Sequence, residues 1–104
     1  MTTSTLAGVA VERDAEGFLS DPSRWSEAMA TEIAAEEGIT LTERHWEVVR
    51  FMRHAYETTG AGPNVRLLAR TSGVSVKELY ALFPKGPAKT AAKIAGIPKP
   101  RGCI

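Results

Sequence analysis

The chain has 104 residues, 43% apolar and 24% charged, which is the makeup of one globular domain large enough for a single modest core. No apolar run reaches transmembrane length, and the start, Met1-Thr2-Thr3-Ser4-Thr5, lacks the basic segment and apolar core of a signal peptide, so neither membrane insertion nor export is expected. The formal net charge of +1 is uneven: residues 77–101 carry +5 and the remainder −4, so the basic C-terminal third either faces an anionic partner or is a solvated helix face.

Residues 1–5 are expected to form a disordered lead-in to a domain spanning 6–96. Leu6 to Glu12 alternates loosely, with Val9 and Val11 on one face, and Asp14-Ala15-Glu16-Gly17 is a turn signal before Phe18-Leu19. That pattern predicts a short β-hairpin, which needs helices behind it to be stable. Ser20-Asp21-Pro22 is a helix start, a capping side chain followed by Pro at the first helical position. Trp25, Ala28, Met29 and Ile33 recur at helical spacing, and Gly38 ends that run. Thr42 caps a second helix whose Trp46, Val49, Met52 and Tyr56 form an apolar stripe ending at Gly60. Pro63 opens a third helix with Val65, Leu67 and Leu68. Ser75-x-x-Glu78 is a capping box for a fourth, which carries Leu79, Tyr80, Leu82 and Phe83 until Pro84 stops it. Gly86-Pro87 starts a fifth, running to Ile94. The expected fold is mainly α (α+β): an N-terminal β-hairpin, then an orthogonal bundle of about five helices.

Classical catalysis has no foothold in this chain. His45 and His54 lie nine positions apart with no Cys, Asp or Glu at metal-ligand spacing, so His45 reads as a packing or capping residue and no metal is expected. Trp25, Trp46 and Tyr56 read as core before they read as a ligand cage. Asp14 and Glu16 belong to a turn, not to a catalytic pair. There is no Ser-His-Asp set, no P-loop and no dinucleotide glycine motif, and no cofactor is expected.

Two stretches stand out and point to different classes of function. In Leu68-Ala69-Arg70-Thr71-Ser72-Gly73-Val74-Ser75-Val76-Lys77-Glu78-Leu79-Tyr80-Ala81-Leu82-Phe83, Ala69 is a small residue for a helix crossing, Gly73 suits the turn, and Leu79 anchors the second helix. The segment predicts a helix-turn-helix-like pair and resembles the DNA-reading segment of tetracycline-repressor-type regulators. In the second helix, however, Lys77 is the one exposed position able to meet a phosphate, and no Arg, Asn or Gln is placed to read a base edge. A nucleic-acid-binding or regulatory protein is therefore the alternative reading, and direct nucleic-acid binding is not expected.

The other stretch is the C-terminus. Gly96 reads as a helix C-cap, Pro98 and Pro100 cannot continue a helix, and Cys103, the only cysteine, is penultimate. Residues 97–104 are therefore expected to form an extended, solvated arm that carries the thiol. A lone cysteine makes no intrachain disulfide, and a reducing cytoplasm is its natural home. A cysteine acts as a nucleophile through its thiolate, and an ordinary thiol has a pKa of about 8.5. Lys99 and Arg101 favour the thiolate while the terminal carboxylate of Ile104 opposes them. Gly102 leaves the backbone beside the thiol slim. Arg66, Lys85, Lys89 and Lys93, together with Lys99 and Arg101, are candidates for docking an acidic partner, with a solvated surface as the plainer reading.

Leu82-Phe83-Pro84-Lys85-Gly86-Pro87-x-Lys89, then Lys93-Ile94-Ala95-Gly96-x-Pro98-Lys99-Pro100-x-Gly102-Cys103, closely resembles the DsrC/TusE family of sulfur carriers. Gly17-Phe18-Leu19, Trp25, Glu37-Gly38-Ile39-x-Leu41-Thr42-x-x-His45-Trp46 and Pro63-x-Val65-Arg66 extend the resemblance over nearly the whole chain past residue 6. The resemblance implies a protein that carries sulfane sulfur as a persulfide on Cys103 and passes it between partner proteins. Family members that act with dissimilatory sulfite reductase bear a second cysteine where this chain has Ala92. The resemblance therefore implies the single-cysteine, TusE-like branch, with a TusBCD-like donor complex and a tRNA thiouridylase-like acceptor that makes 2-thiouridine. A regulatory contact with dissimilatory sulfur metabolism is the further alternative.

Overall fold

The computed structural model describes residues 2–100. Two strands, β1 (Thr2–Leu6) and β2 (Val9–Arg13), pair antiparallel, with Leu6 opposite Val9 and Thr2 opposite Arg13. A 3-10 turn at Pro22–Arg24 follows, and then five helices: α1 (Glu27–Glu36), α2 (Glu43–Thr59), α3 (Val65–Ser72), α4 (Val76–Leu82) and α5 (Pro87–Ile94). The mainly α architecture with a leading hairpin is the one expected. Helix α5 packs against all four other helices, and its Ala91, Ala92 and Ile94 are fully buried. Its small side chains let those neighbours approach closely.

The hairpin uses other residues than the turn signal implied. Residues 2–5, expected to be disordered, are strand, and the reversal falls at Ala7-Gly8. Both of these residues have positive φ, 50° and 77°. Such a two-residue turn matches the twist of paired strands and favours Asn-Gly, which this sequence lacks. The Ala7 N–H donates to the Glu32 carboxylate at 2.9 Å, tying the turn to α1. The Asp14–Gly17 turn also exists, with Asp14 Oδ1 accepting from the N–H groups of Glu16 and Phe18. It returns the chain for a single bridge between Arg13 and Leu19.

The Asp21-Pro22 signal opens the 3-10 turn rather than α1. Asp21 caps the N–H of Ser23, the backbone becomes extended at Trp25, and Ser26 caps the true helix through the N–H of Met29. Thr42, Asn64 and Ser75 cap α2, α3 and α4 by the same chemistry. At α2 the reciprocal partner is His45, whose Nδ1 accepts the Thr42 N–H at 3.1 Å while Nε2 meets the Leu82 carbonyl at 2.9 Å. That is the capping role expected of it. At α4 the box is half made: Glu78 turns away from the cap to the guanidinium of Arg44, which donates at 2.8 and 3.0 Å.

Candidate functional site

Cys103 and Arg101 lie outside the described residues, so the site is read from the chain that leads to them. Helix α5 ends in a complete Schellman motif. The Gly96 N–H donates to the Lys93 carbonyl at 3.1 Å, and the Ile97 N–H donates to the Ala92 carbonyl, also at 3.1 Å. Gly96 sits at φ 69°. The remaining end carbonyls are met by side chains from distant elements. Trp25 Nε1 donates to Ile94 O at 2.8 Å, and Arg53 Nη1 donates to Ala95 O at 2.7 Å. The Arg53 guanidinium also stacks 4.3 Å from the centre of the Trp25 ring. A cation at a helix C-terminus complements the partial negative charge there. Burial lowers the Arg53 pKa.

This arrangement corrects the expectation of a solvated arm for residues 97–100, the described part of 97–104. The arm is not solvated from Gly96 onward: Ile97 has no exposed surface and Pro100 is buried, while Pro98 and Lys99 face out. The Schellman geometry turns the chain back over its own helix, and burying Ile97 outweighs leaving it in water. The Ile97 and Pro100 side chains close over Gly62, where a Cβ would meet Ile97 Cδ1 at 3.0 Å and Pro100 Cγ at 3.4 Å. The root of the arm is therefore clamped between α5 and the loop joining α2 to α3.

The expected docking cations divide into two groups. Lys89 and Lys99 both reach the Glu16 carboxylate, at 2.8 and 3.2 Å, and their hydrogen bonds hold its pKa below the ordinary range. Lys93 pairs with Glu37 at 3.2 Å, and both side chains are largely buried. Arg66 and Lys85 are exposed. In the sequence Glu16 reads only as a turn residue, with no sign that it ties the arm to α5. Nor did it single out Arg53, an ordinary member of an amphipathic helix. Ala92, the position discussed for a second cysteine, is fully buried in α5. Among the described residues no group of His, Cys, Asp or Glu could hold a metal ion. No described helix is long and apolar enough to cross a membrane.

The described residues form a small helical body that clamps the root of a short C-terminal segment, which runs on in sequence to Cys103. A family model described as "DsrC like protein" matches residues 5–104, and the chain belongs to that family. It is 49% identical to "Sulfurtransferase TusE" of Pectobacterium atrosepticum, covering 93% of this chain and 95% of that one. The TusE of Photorhabdus laumondii is 48% identical over the full length of both chains. Among solved structures, Allochromatium vinosum DsrC superposes with a TM-score of 0.86 at 38% identity, covering 98% of this chain and 97% of that one. The oxidized gamma-subunit of dissimilatory sulfite reductase (DsrC) from Archaeoglobus fulgidus gives 0.86 at 36% identity, covering 99% of this chain and all of that one.

Proposed function

We propose that this protein relays sulfur on Cys103, taking it from a TusBCD-like donor complex and delivering it toward tRNA 2-thiouridine synthesis through a thiouridylase-like acceptor. The observation that carries this reading is full-length similarity to proteins named sulfurtransferase TusE, in a chain whose one cysteine is penultimate. The step is redox-neutral. The Cys103 thiolate attacks the outer sulfur of the donor's persulfide, an S–S bond forms to Cys103, the donor's S–S bond breaks, and the donor's thiolate leaves. In the onward step the acceptor's thiolate attacks the same outer sulfur and returns Cys103 as thiolate. With alanine at position 92, a loaded Cys103 has no partner thiol in the chain, so the adduct persists as a persulfide or an intermolecular disulfide. The docking roles of Arg66, Lys85, Lys89, Lys93, Lys99 and Arg101 belong to this proposal. The ion pairs with Glu16 favour for Lys89 and Lys99 a part in holding the arm, and the Lys93–Glu37 pair favours for Lys93 a part in holding α5 to α1.

The test is intact mass after incubation with a cysteine desulfurase and cysteine. The wild-type chain gains the mass of one sulfur atom, and Cys103→Ala gains none. Loading that persists in Cys103→Ala ends the proposal. A wild-type chain that refuses every persulfide donor while its thiol alkylates freely ends it as well.

A further inference from the structure

Most described cations are committed within the chain. Arg13 pairs with Glu36, Arg44 with Glu47 and Glu78, Arg50 with Glu27, Lys93 with Glu37, and Lys89 and Lys99 with Glu16. Arg24 and Arg53 donate to backbone carbonyls. Four of the described cations remain, exposed and with neither an ion pair nor a hydrogen bond: Arg66 and Arg70 on α3, Lys77 on α4, and Lys85 in the turn after it. All four fall within twenty residues of one another. The only acid in that span, Glu78, is already held by Arg44.

The same two helices carry the exposed apolar surface. Four large hydrophobic residues stand out in solvent among the described ones, and three of them, Leu67, Val76 and Tyr80, are on α3 and α4. Leu67 and Thr71 also border a groove of about 370 Å³ between α2 and α3, lined further by Phe51, His54, Ala55 and Pro63. Thr59, Ala61 and Gly62 line both this groove and a second hollow bordered by Pro98 and Lys99. An occupant of the groove would therefore lie beside the root of the arm.

We propose that the α3–α4 face, with the groove beside it, is the docking surface for an acidic protein partner in sulfur transfer, one that presents carboxylates around an apolar side chain. This rests on the relay reading above and assigns it a recognition surface. Unpaired arginines beside exposed aliphatic and aromatic side chains are the composition of a protein-binding patch. Charge complementarity sets the sign of the partner, because no acid in the patch neutralises its cations. A nucleic-acid duplex satisfies the cations but offers nothing to Leu67 and the groove. The exposed positions of α4 are Val76, Lys77, Tyr80 and Ala81, which lack the side chains that read base edges.

The test measures single-turnover loading of the full chain from two sources, a purified TusBCD-type donor complex and glutathione persulfide. Binding to the unloaded donor complex is followed in parallel by interferometry. Arg66→Glu with Arg70→Glu, and separately Lys77→Glu, change exposed side chains, and far-UV circular dichroism checks their folding. The double reversal slows loading from the protein donor about tenfold at low salt, and high salt narrows the gap. Loading from glutathione persulfide stays unchanged, and Leu67→Ser weakens donor binding at every salt concentration. Donor loading and binding indifferent to all these substitutions overturn the inference. So does a pattern in which the variants lose only tRNA binding, or only self-association by sedimentation. If Cys103 loads from neither source the relay reading fails, and the binding measurement still decides the docking surface.

Discussion

The Trp25 side chain occupies the place that any side chain at position 96 would need: a Cβ built on Gly96 would collide with Trp25 Cδ1. Residue 96 must be glycine twice over, for its positive φ and for this contact. Two residues far apart in the chain thus decide together where the arm begins.

Gly96→Ala should destabilise the protein by about 2–4 kcal/mol, combining left-handed strain with overpacking against the indole. Gly60 supplies the control. It has φ 80° but open space around its Cα, so Gly60→Ala should cost only about 1–2 kcal/mol. Chemical denaturation of the two variants checks the difference, and equal losses would mean the indole gives way freely.

The clamped root predicts a sharp boundary in truncation data. Removing Cys103-Ile104 should leave the melting temperature nearly unchanged. Ile97→Ala should cost about 2–4 kcal/mol, the usual loss for emptying a fully buried isoleucine site. Thermal unfolding of both variants would show it.

Ala7 pays left-handed strain without the benefit of an Asn or Gly side chain. Ala7→Asn should stabilise the protein by about 0.5–1 kcal/mol while keeping the turn and the N–H bond to Glu32. Denaturant midpoints compare the two chains, and a loss of stability would show that the methyl group matters in the fold.

Acid should unfold the protein in a defined window. The Arg13 guanidinium holds the Glu36 carboxyl below its ordinary value of 4.5, and Glu16 and Glu78 are lowered in the same direction by Lys89 and Arg44. A carboxyl whose folded pKa is depressed stabilises fully above its unfolded value and loses that stabilisation as pH falls. Stability should therefore decline below about pH 4.5. Arg13→Gln should flatten that decline, as measured by urea midpoints at successive pH values.

The helices were legible in the sequence because capping and stop residues agreed with the apolar period at Thr42, Ser75, Gly86-Pro87 and Gly96. The hairpin's reversal is not legible there, because Ala7-Gly8 carries a weak turn signature and the stronger Asp14–Gly17 signal serves a second reversal. Trp25 falls at helical spacing in the sequence, yet it stands before α1 with its indole donating to a carbonyl of α5. Position 97 shows the same limit: two prolines nearby imply solvated chain, and only the assembled core reveals that Ile97 has somewhere to go. Bonds between residues as distant as Arg53 and Ala95 leave no periodic trace, so the clamp could not be read in advance.

Burying Pro100 against Gly62 also sets a depth gauge. Cys103 lies three positions beyond Pro100, with only Arg101 and Gly102 between them. At no more than about 3.6 Å per position, the Cα of Cys103 can stand about 11 Å from that of Pro100, and the thiol only one side chain further. On the relay proposed above, and while that clamp holds, a partner whose reactive sulfur lies deeper than this is stopped by the body of the protein before the two sulfurs meet. A partner with a shallower pocket reaches the thiol only with its rim resting near Thr59–Gly62. Sulfur transfer and surface recognition then become one act, and a partner that fits the tip but not the rim is turned away by geometry alone.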